Sequence, residues 1–208
     1  KLLISTENFF HSKTSLIKLI NEINLFSKKP KLILVLRNPK DHLISTYKNI
    51  VKTGNIWMRI EDHFNFSDTF RSQLIEPNMI FDKSLYEYDK LIFELKKNFK
   101  LKIFIFEKIF KDYHSMQNFI QELSEIFDTK FSKKFKQDDF NAVNKSITSK
   151  NEIIKMRIKN YKLYNSKSYK KVELNTDYFK EICSKEFLDK FEKKIQNKNK
   201  IYFSKLDL

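Results

Sequence analysis

Arg37 closes the apolar run KLILVL (31–36) and opens the segment Arg-Asn-Pro-Lys-Asp, with Ser45 eight residues further on. A guanidinium at the end of a buried strand offers a planar fork of donors that matches a phosphate. A serine two turns into the following helix can add a hydroxyl if that helix passes the same anion. Arg37 and Ser45 together are therefore a candidate phosphate clamp. The same spacing also permits a purely structural arrangement, in which Arg37 pairs with Asp41 and Ser45 is an ordinary polar helix residue.

The elements that must position this pair are legible on either side of it. KLILVL is continuously apolar, as expected of a parallel strand covered on both faces. In the helix that follows, Asn38 can cap, Pro39 suits the first turn, Asp41 complements the dipole and Gly54 can end it. Its buried stripe is expected to be Leu43, Ile44, Tyr47, Ile50 and Val51. Upstream, LLIS (2–5) reads as a short strand and TSLIKLINEINLF (14–26) as an amphipathic helix. Downstream, the spacing predicts a helix over 85–99, a buried strand LKIFIFE over 101–107 and a helix over 114–127. Strand alternating with helix predicts an α/β fold with a parallel sheet flanked by helices. The aromatics between Trp57 and Phe70 lack clean periodicity and are expected in short helices and loops. Beyond residue 130 the chain reads as helical and basic, with LDKFEKKI (188–195) as a late amphipathic helix.

At 208 residues and 41% apolar, the chain supports one core, so a single domain over 1–208 is expected, with 130–208 as a basic helical extension. Its one cysteine, Cys183, permits no internal disulfide, and no Cys/His spacing suggests a metal site, so the chain reads as disulfide-free and cytoplasmic. No apolar run reaches the length of a transmembrane helix. The net charge of +15, concentrated beyond residue 130, favours an anionic partner such as a phosphate, an acidic glycan, nucleic acid or a membrane surface. A single glycine and three prolines argue against linkers and against a turn-rich β-sandwich.

The segment LVLRNPKDHLISTY resembles the 3′-phosphate-binding segment of sulfotransferases, in which a strand ends in Arg-x-Pro-x-Asp and a serine follows the arginine by eight residues. Arg37, Pro39, Asp41 and Ser45 all match. The later helix, strand, turn and helix over 85–128 look similar as well, with the family's Tyr-Glu-x-Leu-like turn read here as Phe106, Glu107, Lys108 and Ile109. The resemblance implies a P-loop-NTPase-like nucleotide fold. It also implies transfer of a sulfuryl group from 3′-phosphoadenosine 5′-phosphosulfate (PAPS) to a hydroxyl or amine of an acceptor, with a carbohydrate as the expected acceptor. Arg37 and Ser45 would hold the donor's 3′-phosphate, and no metal is required.

One departure stands out. The family's strand, Lys-x-Gly-Thr-Thr loop and helix, which cradle the 5′-phosphosulfate, have no counterpart here. HSKTSLIKLI (11–20) has no glycine, and its Lys13 reads as a helix-start lysine only 24 residues before Arg37. Either a natural N-terminal segment precedes Lys1 or this copy has lost the loop. By the same resemblance, LLISTENFF occupies the place of the strand that brings a catalytic residue to the acceptor. Glu7 is then the candidate general base, with His11 as runner-up. His42, His63 and His114 are expected to face solvent. Lys145, Ser146 and Arg157 could reach the nucleotide, although a solvated basic helix is the simpler reading for each. Trp57 and the nearby phenylalanines could stack on sugar rings or pack the core. A non-catalytic polyanion-binding module is the alternative function, and nucleic acid is disfavoured as its ligand because no base-reading motif is found.

Overall fold

In a parallel pair each strand alternates its side chains between the two faces of the sheet, and that alternation organises the molecule around β1 (Lys31–Leu36) and β2 (Lys100–Ile105). The computed structural model describes residues 21–22, 30–52, 54, 56–64, 86–130, 136, 149–167 and 173–206. The two strands pair in parallel, with Lys31 opposite Lys100 and Leu36 opposite Ile105. The described residues are otherwise mostly helical, an α/β arrangement with a small sheet.

One sheet face carries Leu34, Leu36 and Ile105, which are buried against α3 (Tyr88–Asn98) and α8 (Lys200–Leu206). Ile92, Leu95, Phe99 and Tyr202 complete that core. The other face meets α5 (Tyr113–Phe127), where Phe104 packs edge-on against Phe119 at 4.8 Å between ring centroids. There Lys102 also pairs with Glu122 at 2.8 Å, and the Lys31 ammonium donates to the Ile126 carbonyl at 2.9 Å. These α5 contacts fall on β2 and on the start of β1, and Val35, near the carboxyl end of β1, is 42% exposed. Full cover of KLILVL on both faces is therefore corrected to cover on one face and part of the other.

Helix α1 (Pro39–Lys52) starts and stops where its residue types require. The Asn38 side-chain oxygen accepts from the backbone N–H of Lys40 at 3.0 Å and of Asp41 at 3.4 Å. Gly54, just past its end, has φ of 84°, a left-handed conformation that glycine adopts without steric cost, and its N–H returns to the Val51 carbonyl. The stripe Leu43, Tyr47 and Val51 is fully buried, with Ile44 and Ile50 packed at its margins. Each such large apolar side chain contributes about 1.5 to 3 kcal/mol by leaving water.

The partners of that stripe lie mainly in the C-terminal part: Ile153 of α6 (Lys150–Lys167) and Phe191 and Ile195 of α7 (Lys185–Gln196). Ile56 and Ile60, the latter opening α2 (Ile60–Phe64), close the cluster with Tyr86. The basic segment is thus built into the core on one side of α1. The second strand is shorter than LKIFIFE predicts, because Phe106 and Glu107 already belong to the short helix α4 (Phe106–Ile109).

Arg157 corrects the expectation of a solvated basic helix. It is 0% exposed on α6, with Nε donating to the Trp57 carbonyl at 3.0 Å and Nη1 to those of Glu181 at 2.6 Å and Phe179 at 3.5 Å. It ties α6 to the segment before α2 and to the 3-10 turn Thr176–Phe179. Three residues on, Asn160 donates to the carbonyls of Val51 and Ile56 at 2.8 and 2.9 Å, pinning the chain on both sides of Gly54.

Candidate functional site

Arg37 emerges directly beyond β1, at the carboxyl end of the parallel pair, where open α/β sheets present their ligand sites. Its guanidinium carbon lies 4.9 Å from the centre of the Phe106 ring, the first residue after β2. A cation over an aromatic face at this distance is attracted by the ring quadrupole and held to one surface. Among the described residues no carboxylate forms an ion pair with Arg37. The alternative pairing with Asp41 is not made.

The peptide between Arg37 and Asn38 is gripped from both sides. Its carbonyl accepts from the Tyr88 hydroxyl at 2.8 Å, and its N–H donates to Glu107 Oε1 at 2.7 Å. Glu107 Oε2 in turn accepts from the Tyr202 hydroxyl at 3.0 Å. Burial, followed by the neighbouring charge of Glu107, pushes the Tyr202 phenol well above its ordinary range, and burial does the same to Tyr88. Both hydroxyls are therefore donors at any working pH.

The helix start adds little of its own for an anion. The amides of Lys40 and Asp41 are taken by the Asn38 side chain, the Asn38 amide is taken by Glu107, and Pro39 has none. Capture of an anion by open helix amides would require displacing those partners, so the Arg37 guanidinium is the donor group on offer. Ser45 is half-buried on α1, roughly 9 Å further along the axis at 1.5 Å per residue. By helical spacing it shares a face with Asp41, opposite the Leu43–Tyr47–Val51 stripe. Among the described residues it has no hydrogen-bond partner, and no hydrogen bond joins it to Arg37. The structure therefore shows no hydrogen bond between the two candidates.

No family model, no curated protein and no solved structure matches this chain.

Several expected contributors fall elsewhere. Glu7 and His11, with Lys13, Lys145, Ser146, Phe66 and Phe70, lie outside the described residues. Arg157 is consumed by the three backbone carbonyls and does not reach the strand ends. Trp57 is 7% exposed, its ring set against Tyr161, Tyr164 and Tyr178 at 5.4 to 6.3 Å, so it packs the core and is not presented to a sugar. His114 is exposed as expected. His42 is half-buried instead of solvated: its Nδ1 lies 3.3 Å from the Tyr88 hydroxyl and its ring 5.4 Å from that of Tyr86. A tyrosine pair brought in by α3 and the segment before it draws the ring inward.

Sequence reasoning missed Tyr88, Glu107 and Tyr202 as parts of this site. Glu107 was visible inside the Phe-Glu-Lys-Ile turn, but its bond to Asn38 spans 69 residues, and nothing local announces such a contact. Among the described residues no group of three or more His, Cys, Asp or Glu side chains is arranged to hold a metal ion, and no helix is long and apolar enough to cross a membrane.

Proposed function

We propose that the carboxyl end of β1 and β2 is the 3′-phosphate site of a phosphonucleotide, and that the chain acts as a PAPS-dependent sulfotransferase on a hydroxyl or amine, with a carbohydrate as the expected acceptor. The observation that carries this reading is the Arg37 guanidinium, laid on Phe106 at the strand end and left without a carboxylate among the described residues. A half-buried cation held in place and not neutralised is poised for an external anion. The motif Arg-Asn-Pro-Lys-Asp with Ser45 is the support from sequence, and the two adjacent parallel strands support a P-loop-like arrangement. In this reading Arg37 and Ser45 bind the 3′-phosphate and Glu7 is the general base that takes the acceptor's proton as sulfur is attacked. Calorimetry tests the donor half: 3′,5′-bisphosphoadenosine should bind at least about tenfold more tightly than adenosine 5′-phosphate, one charge-assisted phosphate contact accounting for that ratio. Equal affinities would reject the 3′-phosphate site.

A second reading, polyanion binding without catalysis, is favoured by one observation. On α6, Lys155, Lys159 and Lys162 are exposed along one side, and none makes an ion pair among the described residues. Under this reading, affinity for heparin or single-stranded nucleic acid falls steeply with salt, and replacing the three lysines by glutamate abolishes it. Each phosphate neutralised on a single strand should add about −0.7 to the slope of log K against log salt. Salt-insensitive binding would exclude this face as a polyanion site.

A further inference from the structure

Taking the Arg37 site as the phosphate site proposed above, we propose that the C-terminal helix α8 is a working part of it, with Asn199 and Tyr202 as positioning residues for the Arg37–Asn38 peptide. Two hydrogen-bond chains run from the start of α8 to opposite sides of that one peptide unit. In the first, Asn199 Oδ1 accepts from the Tyr88 backbone N–H at 2.6 Å, and the Tyr88 hydroxyl donates to the Arg37 carbonyl. In the second, the Tyr202 hydroxyl donates to Glu107 Oε2, and Glu107 Oε1 accepts from the Asn38 N–H. Both origins are completely buried, Asn199 and Tyr202 each being 0% exposed.

The surrounding bonds make α8 a rigid support. Asn199 Nδ2 donates to the Tyr86 carbonyl at 2.8 Å, the Ile201 N–H to Asp89 Oδ1 at 3.0 Å, and Lys198 pairs with Glu87. The start of α8 is thereby stapled along the first turn of α3, and the rings of Tyr88 and Tyr202 meet edge-on at 5.8 Å.

The chemistry of Glu107 explains why a tyrosine stands at 202. Among the described residues its hydrogen-bond partners are both neutral, a backbone N–H and a phenol, although the Arg37 guanidinium rests on the ring of the residue beside it. A carboxylate with a donor on each oxygen is held facing away from an ion pair, and the guanidinium stays available for a ligand. Phenylalanine at 202 would fill the same core volume and leave Glu107 Oε2 short of a donor. That oxygen would then be free to turn toward the Arg37 guanidinium, which lies over the ring of the adjacent Phe106, and compete with a bound phosphate.

The test compares Tyr202→Phe with the unaltered chain. Affinity for 3′,5′-bisphosphoadenosine should fall about five- to tenfold, the net worth of one ordinary hydrogen bond, while adenosine 5′-phosphate changes less than about twofold. Exchange of the Asn38 amide hydrogen should quicken about tenfold as its Glu107 acceptor is freed to move. Adding Glu107→Gln to Tyr202→Phe removes the competing charge and should restore most of the lost affinity. A purely structural role would weaken both nucleotides alike and would not be rescued by glutamine. Unchanged Asn38 exchange, or an unchanged ratio of the two nucleotide affinities, overturns the positioning role. If the unaltered chain does not prefer the bisphosphate, the phosphate-site reading fails instead, and the exchange arm still decides whether α8 holds this peptide.

Discussion

Replacing Arg37 by alanine is expected to weaken binding of 3′,5′-bisphosphoadenosine by about 2 to 4 kcal/mol, roughly 30- to 1000-fold in Kd, as measured by calorimetry. The loss should be specific, because adenosine 5′-phosphate has no 3′-phosphate to meet the guanidinium and its affinity should scarcely move. Arg37→Lys keeps the charge but not the planar fork or the stacking on Phe106, so it should fall between the two. The fold should tolerate either change. Among the described residues the side chain is anchored by one cation–π contact, worth about 0.5 to 1 kcal/mol at a partly open position. The Arg37 carbonyl that Tyr88 grips belongs to the backbone and survives the substitution. Equal losses for both nucleotides would mean that Arg37 supports the fold and does not read the 3′ position, and the sulfotransferase reading would go with it.

The opposite pattern is expected at the other arginine. Arg157→Ala should destabilise the protein by about 4 kcal/mol or more, since the carbonyls of Trp57, Phe179 and Glu181 lose their donor inside the core, a cavity opens, and each unsatisfied group costs about 1 to 3 kcal/mol. For a chain of this size that corresponds to a fall in Tm of about 8 to 16 °C. A buried arginine carries its own cost, visible here in Nη2, which is buried with no hydrogen-bond partner. The informative companion is Arg157→Met, which keeps the stem volume and removes both the charge and the donors. If the three carbonyl bonds dominate, methionine recovers less than half of the loss. Stability equal to or above that of the unaltered chain would show that desolvating the guanidinium outweighs its bonds. Where Arg157→Ala stays folded at low temperature, its nucleotide affinity should be unchanged, which separates this arginine from the strand-end site.

The two arginines also mark what local pattern reveals and what it does not. KLILVL followed by Asn38, Pro39 and a terminal Gly54 read correctly as strand, capped helix and stop, because capping, dipole and left-handed preferences act over three or four residues and need no distant partner. The second strand and the helices α3, α5 and α7 were visible for the same reason, their apolar residues recurring at the period of the element. The strand end was misplaced by two residues, since nothing local separates LKIFI from Phe106 and Glu107.

The sequence by itself determined the two described strands and the helices α1, α3, α5 and α7, to within a few residues at their ends, the place of Arg37 at the end of β1 and the surplus of positive charge. Tertiary structure decided which cations are spent. Arg157 sits among lysines in a basic helix and looks solvated, yet it lies inside because three carbonyls from segments 22 to 100 residues away converge on it. Arg37 looks buried at the end of an apolar strand, yet its guanidinium makes no ion pair among the described residues, while Glu107 is held by Asn38 and by Tyr202, 69 and 95 residues distant. His42 and Trp57 turned inward for the same cause, aromatic partners that fold back from other elements. Hydrogen bonds and packing depend on distance in space, which periodicity along the chain does not encode. Whether a charged side chain is available to a ligand is therefore settled only when the whole chain has closed around it.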